Sequence, residues 1–360
     1  MSDLNLSKKI VLTGGGTAGH VTPNIALLPE LKKAGYEIYY IGSYDGIEKK
    51  LITDYEIPYY GIATGKFRRY LDIRNLTDPF KVIKGFSEAR RYLKQIRPNV
   101  VFSKGGFVSV PVVRAAASLH IPCVIHESDM TPGLANKLCI PAAQKVCCNF
   151  PETYNMLPPK KAVLTGSPIR EELTRGDKEQ ALSLCRFTKG KPVILVIGGS
   201  LGAASVNKAI REALPDLLKD FQVAHICGKG KIDDSYLHTE GYLQFEYVKD
   251  ELKDFFAMAD LVISRAGANS ICELLALRKP NLLIPLSASS SRGDQILNAK
   301  SFESQGFSMV INDDELNAKL LAEKVMELYF TRQTYIDAMS RSHQLSSVKT
   351  IVKLIEEAAS

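Results

Sequence analysis

The stretch Lys9-Ile10-Val11-Leu12-Thr13-Gly14-Gly15-Gly16-Thr17-Ala18-Gly19-His20 joins a short β-rich run to a glycine-rich loop. The apolar residues that follow have helical spacing and precede Gly35: Ile25, Leu27, Leu28 and Leu31. This order predicts a strand, a glycine loop and a helix.

The same alternation continues along the chain. Further strands are predicted at 37–41, 100–103 and 123–126, with a helix over 108–119. A second copy of the opening follows about half a chain later: the strand 192–197, the loop Gly198-Gly199-Ser200-Leu201-Gly202-Ala203 and a helix. More strands are predicted at 222–226, 261–264 and 281–284. The sequence therefore predicts an α/β protein of two Rossmann-like, doubly wound parallel-sheet domains that face each other across a cleft.

The domain boundary is predicted in the Pro- and Lys-rich stretch between Pro158 and Lys191. We place the first domain at 1–164, the second at 165–340 and a separate C-terminal segment at 341–360. One final helix is expected from about Ala338 to Ala359, with packing back on the first domain left open.

Composition excludes several classes of protein. The chain has 360 residues, of which 45% are hydrophobic and 24% charged, so collagen-like, low-complexity and disordered classes do not fit. The seven cysteines form no C-x-x-C pair and predict reduced thiols in a cytosolic protein. No apolar run approaches the roughly 20 residues of a membrane-spanning helix, and the start lacks a secretory signal.

The net charge of +7 comes from one segment, Lys66 to Arg97, which holds ten Lys/Arg against three acidic residues. Aromatic and aliphatic residues alternate with these charges, which is typical of a surface on an anionic membrane. A basic helix with its apolar side in the core is the alternative. Nucleic-acid binding is not expected, because no binding motif accompanies the charge.

The glycine loops favour a phosphate-bearing ligand, although tight turns and helix packing also use glycine. A dinucleotide-binding dehydrogenase needs an acid at the end of the second strand. That strand ends Ile41-Gly42-Ser43, with Asp45 and Glu48 only beyond it, so the position that a dehydrogenase requires holds no acid. The sequence also lacks a P-loop motif, which makes a P-loop NTPase improbable.

Three sites carry candidate chemistry. His20, at a helix N-terminus, could act as a general base or simply pack, and His126 is a second candidate. The segment 264–270 places small residues and hydroxyls before a helix, which suits a phosphate. Glu273, one turn further, could bind sugar hydroxyls or serve as a capping acid.

With these elements in order, the chain resembles the MurG family, the bacterial N-acetylglucosaminyltransferases of peptidoglycan synthesis within the GT-B glycosyltransferases. The resemblance rests on motifs in matching order and spacing: Gly14 to His20, Ser103-Lys104-Gly105-Gly106-Phe107-Val108-Ser109, His126-Glu127-Ser128-Asp129, Pro132 to Lys137, Gly166 to Arg170, Gly198 to Ala203, Ser264-Arg265-Ala266-Gly267, Asp294-Gln295 and Asn298-Ala299.

The resemblance implies a hexosyltransferase that moves N-acetylglucosamine from UDP-N-acetylglucosamine to the 4-hydroxyl of the muramyl sugar of lipid I, giving lipid II with inversion. It implies no required cofactor and no metal site, with divalent-metal stimulation left open. It also implies peripheral attachment to the cytoplasmic face of the membrane through 66–97. Cell-wall and division proteins are left open as further partners.

The second domain is then the donor domain. The donor-binding residues implied are Arg170, Ser200, Val248, Ala268, Asn269, Ser270, Glu273, Asp294 and Gln295. Ser200 is expected on the diphosphate, Val248 at the uracil, 268–270 at the α-phosphate, Glu273 on the ribose and Gln295 on the sugar.

The first domain is then the acceptor and membrane-associating domain. Its loop residues Thr17, Ala18 and Gly19 are expected to face the acceptor and to reach the donor. Acceptor contacts are implied at Gly15, Gly16, His126 and Asn136. His20 is the favoured base.

Two departures from the commonest family pattern bear on the acceptor end. Ala18 stands where Gly is commonest, and Ser128-Asp129 where Gln-Asn is commonest. Asp129 would repel an acceptor diphosphate unless a cation compensates, so it is a second candidate for the base or a partner of His20.

Other functions stay open at this point. A UDP-N-acetylglucosamine epimerase or a glycolipid synthase would share the fold, and a non-catalytic nucleotide-sugar-binding scaffold would share the donor site.

Overall fold

We describe residues 8–65, 74–198, 203–288 and 293–360 of a computed structural model, without the side chains of 74–79 and 343. The chain divides into two compact units. The first unit is Met1–Arg170 with Ser346–Ser360, and the second is Glu171–Leu345. The division falls after Arg170 rather than after residue 164, because the amides of Thr165 and Gly166 both donate to Cys148 of the first sheet.

The first unit is built on a seven-stranded sheet. Its strands are β1 Lys8–Thr13, β2 Tyr36–Ser43, β3 Tyr59–Ile62, β4 Val100–Ser103, β5 Cys123–Glu127, β6 Lys145–Cys148 and β7 Ala162–Leu164. Their order is β3-β2-β1-β4-β5-β6-β7, and all the described pairs are parallel. The order reverses between β1 and β4, which is where doubly wound folds bind ligands.

Helices connect these strands. They are α1 Thr22–Lys33, α2 Ile47–Thr53, α3 Arg74–Ile96, α4 Ser109–Ser118, α5 Leu134–Cys139 and α6 Pro151–Met156. Alternate residues of each strand enter different cores: Ile10 and Leu12 pack under α1, while Val11 packs under α3 and α4. Both sheet faces are therefore covered, as continuous apolar strands predict.

The second unit repeats this plan with six strands. They are β8 Val193–Ile197, β9 Gln222–Ile226, β10 Tyr242–Phe245, β11 Leu261–Ser264, β12 Asn281–Leu283 and β13 Met309–Val310. Their order is β10-β9-β8-β11-β12-β13, again parallel. The helices are α7 Lys178–Cys185, α8 Ala204–Asp220, α9 Leu252–Met258, α10 Ala268–Ala276, α11 Asp294–Ser304 and α12 Ala318–Ser340. The predicted pair of doubly wound parallel sheets is confirmed.

The expectation of one final helix from about Ala338 is wrong. Helix α12 ends at Ser340, and a separate helix α13, Ser347–Ala359, follows a short 3-10 turn. The chain breaks here because α12 packs in the second unit, whereas the buried Ser347 hydroxyl donates to the Ser167 carbonyl of the first, at 2.7 Å.

Helix α13 completes the core of the first unit. Ile351 and Ile355 are fully buried beside Ile10, Leu12 and Leu28. Their spacing of four places both residues on one side of the helix. Within the described ranges, no helix combines the length and apolar character that a bilayer crossing requires.

Candidate active site

The first glycine loop lies at the carboxyl end of β1, beside the turn that follows β4. Gly16 and Gly106 have φ angles of +86° and +81°. A Cβ on Gly106 would collide with the Gly15 carbonyl oxygen, and one on Gly16 would collide with the Phe107 ring. The two loops pack directly against each other because glycine occupies both positions.

His20 ends this loop in a 3-10 turn, Ala18–His20, and is half-buried. Its Nδ1 lies 3.2 Å from the Lys104 carbonyl oxygen. Because a carbonyl only accepts, Nδ1 carries the proton of the neutral ring and Nε2 is the proton-accepting nitrogen. Burial, and then the Lys104 charge, lower the pKa of His20 to about 4, against the opposing effects of the Lys104 carbonyl and Glu48. His20 is therefore neutral near neutral pH, as a general base must be.

A buried lysine lies behind His20. Lys104 is fully buried, and its ammonium donates to His126 Nδ1 at 3.0 Å and to the Ser128 hydroxyl. His126 Nε2 in turn donates to the Gly166 carbonyl at 2.9 Å. Burial, and then the Lys104 charge, lower the pKa of His126 well below its usual value. His126 is a neutral ring that links β4, β5 and the segment after β7.

Glu127 fixes the loop that follows β5. Its carboxylate accepts from the Asp129 amide at 3.0 Å, the Gly133 amide at 2.9 Å and Asn136 Nδ2 at 2.9 Å. Asn136 Nδ2 also donates to the His126 carbonyl. His126 and Asn136, predicted to contact an acceptor, are 0% and 5% exposed and support this loop from behind.

The remaining predicted residues of the first unit lie on the same edge of the sheet. Asp129 is half-buried on the loop after β5, and its carbonyl accepts from the Thr153 hydroxyl at 3.2 Å. Thr17 and Ala18 are exposed and Gly19 is half-buried. Solvent therefore reaches residues 16–18 of the glycine loop and, in part, His20 at its end.

Glu48 supports the same loop from below. It lies in the first turn of α2, is fully buried, and accepts from the Gly16 amide at 3.2 Å and the Ser43 amide at 3.0 Å. The Ser43 hydroxyl donates to the same carboxylate. The Gly16 amide therefore already has a hydrogen-bond partner within the fold, although the sequence favoured a phosphate as the ligand of this loop.

In the second unit, helix α10 starts directly after the turn that ends β11. Ala268 is buried, Asn269 is half-buried and Ser270 is exposed in its first turn, with Glu273 half-buried one turn further. A helix N-terminus of this kind attracts anions through its amides and dipole. Ser200 and most of the second glycine loop lie outside the described residues.

The other predicted donor residues are distributed over three loops. Val248 is buried just beyond β10. Asp294 and Gln295 begin α11, and Gln295 Oε1 accepts from the Leu286 amide at 3.1 Å. Arg170 is half-buried and belongs to the first unit, although the prediction placed it in the second domain.

Arg265 braces the carboxyl edge of the second sheet. Its guanidinium donates to Asp313 at 2.8 Å, to the Ser205 hydroxyl at 2.9 Å and to the Ile284 and Pro285 carbonyls at 3.0 and 3.4 Å. The side chains of Arg265 and Asp313 are only 10% and 13% exposed. One residue therefore joins the loops after β11, β12 and β13 to the start of α8.

Sequence reasoning missed the roles of Lys104, Glu48 and Arg265. Lys104 and Arg265 stand inside quoted motifs, and Glu48 was noted only for lying beyond the position a dehydrogenase would use. The available signal was a charged residue among glycine and apolar neighbours at a strand end, where burial requires a partner. No cluster of metal-binding side chains occurs in the part of the chain that we describe.

Comparisons with known proteins bear on both units. Residues 10–148 match the glycosyltransferase family 28 N-terminal domain, and 193–355 match the family 28 C-terminal domain. The chain is 63% identical to a UDP-N-acetylglucosamine–N-acetylmuramyl-(pentapeptide) pyrophosphoryl-undecaprenol N-acetylglucosamine transferase of Lachnospira eligens, over 97% of this chain and 99% of that protein. The same enzyme of Lachnoclostridium phytofermentans is also 63% identical, with the same coverage. The crystal structure of Acinetobacter baumannii MurG superposes with a TM-score of 0.75 at 28% identity, covering 97% of this chain and 99% of that one.

The fold and the family matches define a GT-B glycosyltransferase. The chain has two doubly wound units, with a neutral histidine where the strand order of the first reverses and a helix N-terminus where that of the second reverses. Within this class the chain belongs to glycosyltransferase family 28 and, more closely, to the MurG family of N-acetylglucosamine transferases.

Proposed function

We propose that the chain transfers N-acetylglucosamine from UDP-N-acetylglucosamine to the 4-hydroxyl of the muramyl sugar of lipid I, forming lipid II. The structural observation that carries the proposal is His20. Its ring is neutral, oriented by the Lys104 carbonyl, and has Nε2 as its proton acceptor. The donor and acceptor are those in the names of the relatives at 63% identity.

The reaction is a single displacement. Nε2 of His20 takes the proton of the acceptor 4-hydroxyl while that oxygen bonds to the anomeric carbon of the donor sugar. The bond from this carbon to the UDP oxygen breaks, and UDP leaves with the electron pair. Attack opposite the leaving group inverts the configuration from α to β. Asp129 is the competing candidate for the base.

The donor groups that we propose all stabilise departing UDP or fix the sugar. The start of α10, with Ala268, Asn269 and Ser270, offers amides and a positive dipole to the α-phosphate. Glu273 accepts from ribose hydroxyls. Gln295 uses its amide oxygen within the fold, so its NH2 group is the part we assign to the sugar.

Four further residues complete the donor proposal: Ser200 on the diphosphate, Val248 at the uracil, Asp294 beside the sugar and Arg170 near the nucleotide. The chemistry requires no metal, and a comparison of rates with and without added divalent cation tests stimulation.

The acceptor is proposed to lie over the loop 15–19, with Gly15 and Gly16 providing close backbone approach. His126 and Asn136 then act through the loop that Glu127 holds, because both are buried behind it. Thr17, Ala18 and Gly19 form the exposed part of this surface.

UDP release from UDP-N-acetylglucosamine, with and without a soluble lipid I analogue, tests the proposal. Release should depend on the acceptor and collapse in His20→Ala, whereas Asp129→Asn should retain it. His238→Ala, an exposed histidine of the second unit, is the matched control. Release that ignores the acceptor would indicate an epimerase or hydrolase, and collapse only in Asp129→Asn would move the base to Asp129.

We further propose that the enzyme attaches peripherally to the cytoplasmic face of the membrane through α3. Phe80 and Ile83 are 75% and 64% exposed on this helix, beside the exposed Lys81 and Lys84. Exposed apolar side chains among lysines suit an anionic bilayer surface. Residues 66–73 of the predicted segment lie outside the described residues.

Binding to vesicles containing anionic lipid tests the attachment. The double variant Phe80→Ser/Ile83→Ser should bind about tenfold or more weakly, because two side chains no longer enter the bilayer. Phe330→Ser is the matched control, since Phe330 is 74% exposed on α12. Equal binding by the α3 variant and the control would contradict the assignment.

A further inference from the structure

A buried carboxylate fills the space behind the first glycine loop. Glu48, in the first turn of α2, is 0% exposed. One of its oxygens accepts from the Gly16 amide at 3.2 Å. The other accepts from the Ser43 amide at 3.0 Å and from the Ser43 hydroxyl. Because Gly16 follows β1 and Ser43 ends the neighbouring strand β2, this carboxylate joins the two loops at the carboxyl ends of these strands.

Three glycines enclose the carboxylate and leave no room for side chains of their own. A Cβ on Gly15 would lie 2.5 Å from the carboxyl carbon of Glu48, and one on Gly42 would lie 2.9 Å from its Cγ. A Cβ on Gly46 would collide with a carboxylate oxygen. None of the three has a φ angle in the left-handed region, so backbone conformation does not require glycine there. The enclosed side chain is what requires it.

The donors around Glu48 are of the kind that holds a phosphate. Backbone amides of a glycine loop at the end of a parallel strand form the phosphate site of nucleotide-binding domains. The three hydrogen bonds to Glu48 come from two such amides and one hydroxyl. The buried carboxylate is therefore held by neutral donors, as the oxygens of a bound phosphate would be.

We propose that Glu48 occupies the anion site of the first glycine loop from within the chain and is a positioning residue for the acceptor. With the carboxylate in place, the Gly16 amide is turned toward it, and the loop cannot hold a nucleotide phosphate at this point. The nucleotide of the donor is then left to the second unit. This role rests on the proposed placement of the acceptor over the loop 15–19, and Glu48 is not assigned a contact with substrate.

Two anchors set the course of the loop. The Tyr40 hydroxyl donates to the Gly14 carbonyl at 2.7 Å, and Glu48 holds the Gly16 amide. Residues 16–18 are exposed and begin at the second anchor. Loss of Glu48 leaves the first anchor in place and releases the exposed part of the loop. The effect should therefore fall on the acceptor.

Refilling the vacated site with a small carboxylate tests the proposal. Glu48→Ala removes the carboxylate and keeps its three donors, so formate should bind there in the full-length protein without substrate. In the isotope-labelled variant, formate should shift the amide NMR signals of Gly16 and Ser43 and reach saturation, whereas chloride at equal ionic strength should not. The wild type should show no such shift. Absence of a saturating shift in a folded Glu48→Ala protein, or an equal shift in the wild type, would overturn the proposal.

Kinetics with a soluble lipid I analogue test the positioning role. The acceptor KM should rise about tenfold in Glu48→Ala, while the KM for UDP-N-acetylglucosamine changes by less than about twofold. Added formate should reverse the rise. Asp254→Ala is the matched control, because Asp254 is 6% exposed and its carboxylate accepts from the Asp177 amide at 2.7 Å in the second unit. Formate should change neither KM of the control.

The two readouts separate this inference from the function on which it rests. Saturating formate shifts without any change in the acceptor KM would support the occupied anion site and refute the placement of the acceptor over this loop. A rise confined to the KM for UDP-N-acetylglucosamine would overturn the positioning role. If Glu48→Ala does not fold, Glu48→Gln keeps the volume and turns an NH2 group toward an amide donor. The acceptor KM should then still rise, without reversal by formate, and an unchanged acceptor KM would overturn the proposal.

Discussion

Breaking the Arg265–Asp313 pair should damage both stability and donor binding. The change Arg265→Met removes a 2.8 Å ion pair whose side chains are 10% and 13% exposed. It also strips the Ile284 and Pro285 carbonyls of their donor. Loss of one partner of a buried ion pair lowers the free energy of unfolding by about 3 kcal/mol. Because the pair joins the loops that carry the proposed donor residues, the dissociation constant for UDP should rise about tenfold or more.

Urea unfolding followed by circular dichroism measures the first effect, since the chain contains no tryptophan. Calorimetry with UDP measures the second. The double variant Arg265→Met/Asp313→Leu should recover about 2 kcal/mol relative to the sum of the single changes, because no unpaired charge remains. Its UDP affinity should stay low, since the loops are still not joined.

The Lys324–Glu327 pair provides the control. Its two atoms are also 2.8 Å apart in the second unit, but the side chains are 35% and 52% exposed. Lys324→Met should therefore lower the free energy of unfolding by only about 0.5 kcal/mol and leave UDP binding intact. Similar losses in Arg265→Met and Lys324→Met, or a double variant equal to the sum of its parts, would refute the reasoning.

Three further predictions concern single positions. Burial lowers the pKa of His225 to about 3. The unfolded chain therefore binds the proton first, and His225 alone should contribute a fall in the free energy of unfolding of about 1.4 kcal/mol per pH unit from about pH 6.5 down to about 3. Urea midpoints against pH check this, and an equal slope in His225→Gln would contradict it. Gly85→Ala places a Cβ against the carbonyl oxygen of Ala63, the residue after β3, and should lower the melting temperature, whereas Gly133→Ala meets open space. Ser347→Ala removes the bond to Ser167 and should cost about 1 kcal/mol. Faster hydrogen exchange in α13 would report the last change, and unchanged exchange would contradict it.

The strands were the most predictable part of the fold. The ranges 100–103, 222–226 and 261–264 match β4, β9 and β11. Each is an apolar, β-rich run bounded by turn residues, so local sequence is enough to define it. The short strands β7 and β13 have three and two residues and too little pattern of their own.

The candidate site was predictable as loops rather than as contacts. Glycine and a helix start mark where a ligand can approach, and both features are local. The partners of Lys104 lie 22 and 24 residues away, and Glu48 meets Gly16 across 32 residues. Such contacts depend on the order of the strands in the sheet. The local patterns of a single sequence do not reveal that order. Lys104 also supplies a buried cation beside Ser128, next to the Asp129 whose charge the sequence left unexplained.

The return of the chain to its first unit constrains how fragments of this enzyme can be made. A gene fragment that stops at Arg170 lacks α13 and would leave the apolar surface around Ile10 and Leu28 uncovered. A chimera that exchanges the second unit between relatives must join the sequences twice, after Arg170 and before Ser346. The first unit made alone therefore needs its final helix supplied, either as a fused segment or as a peptide added in trans.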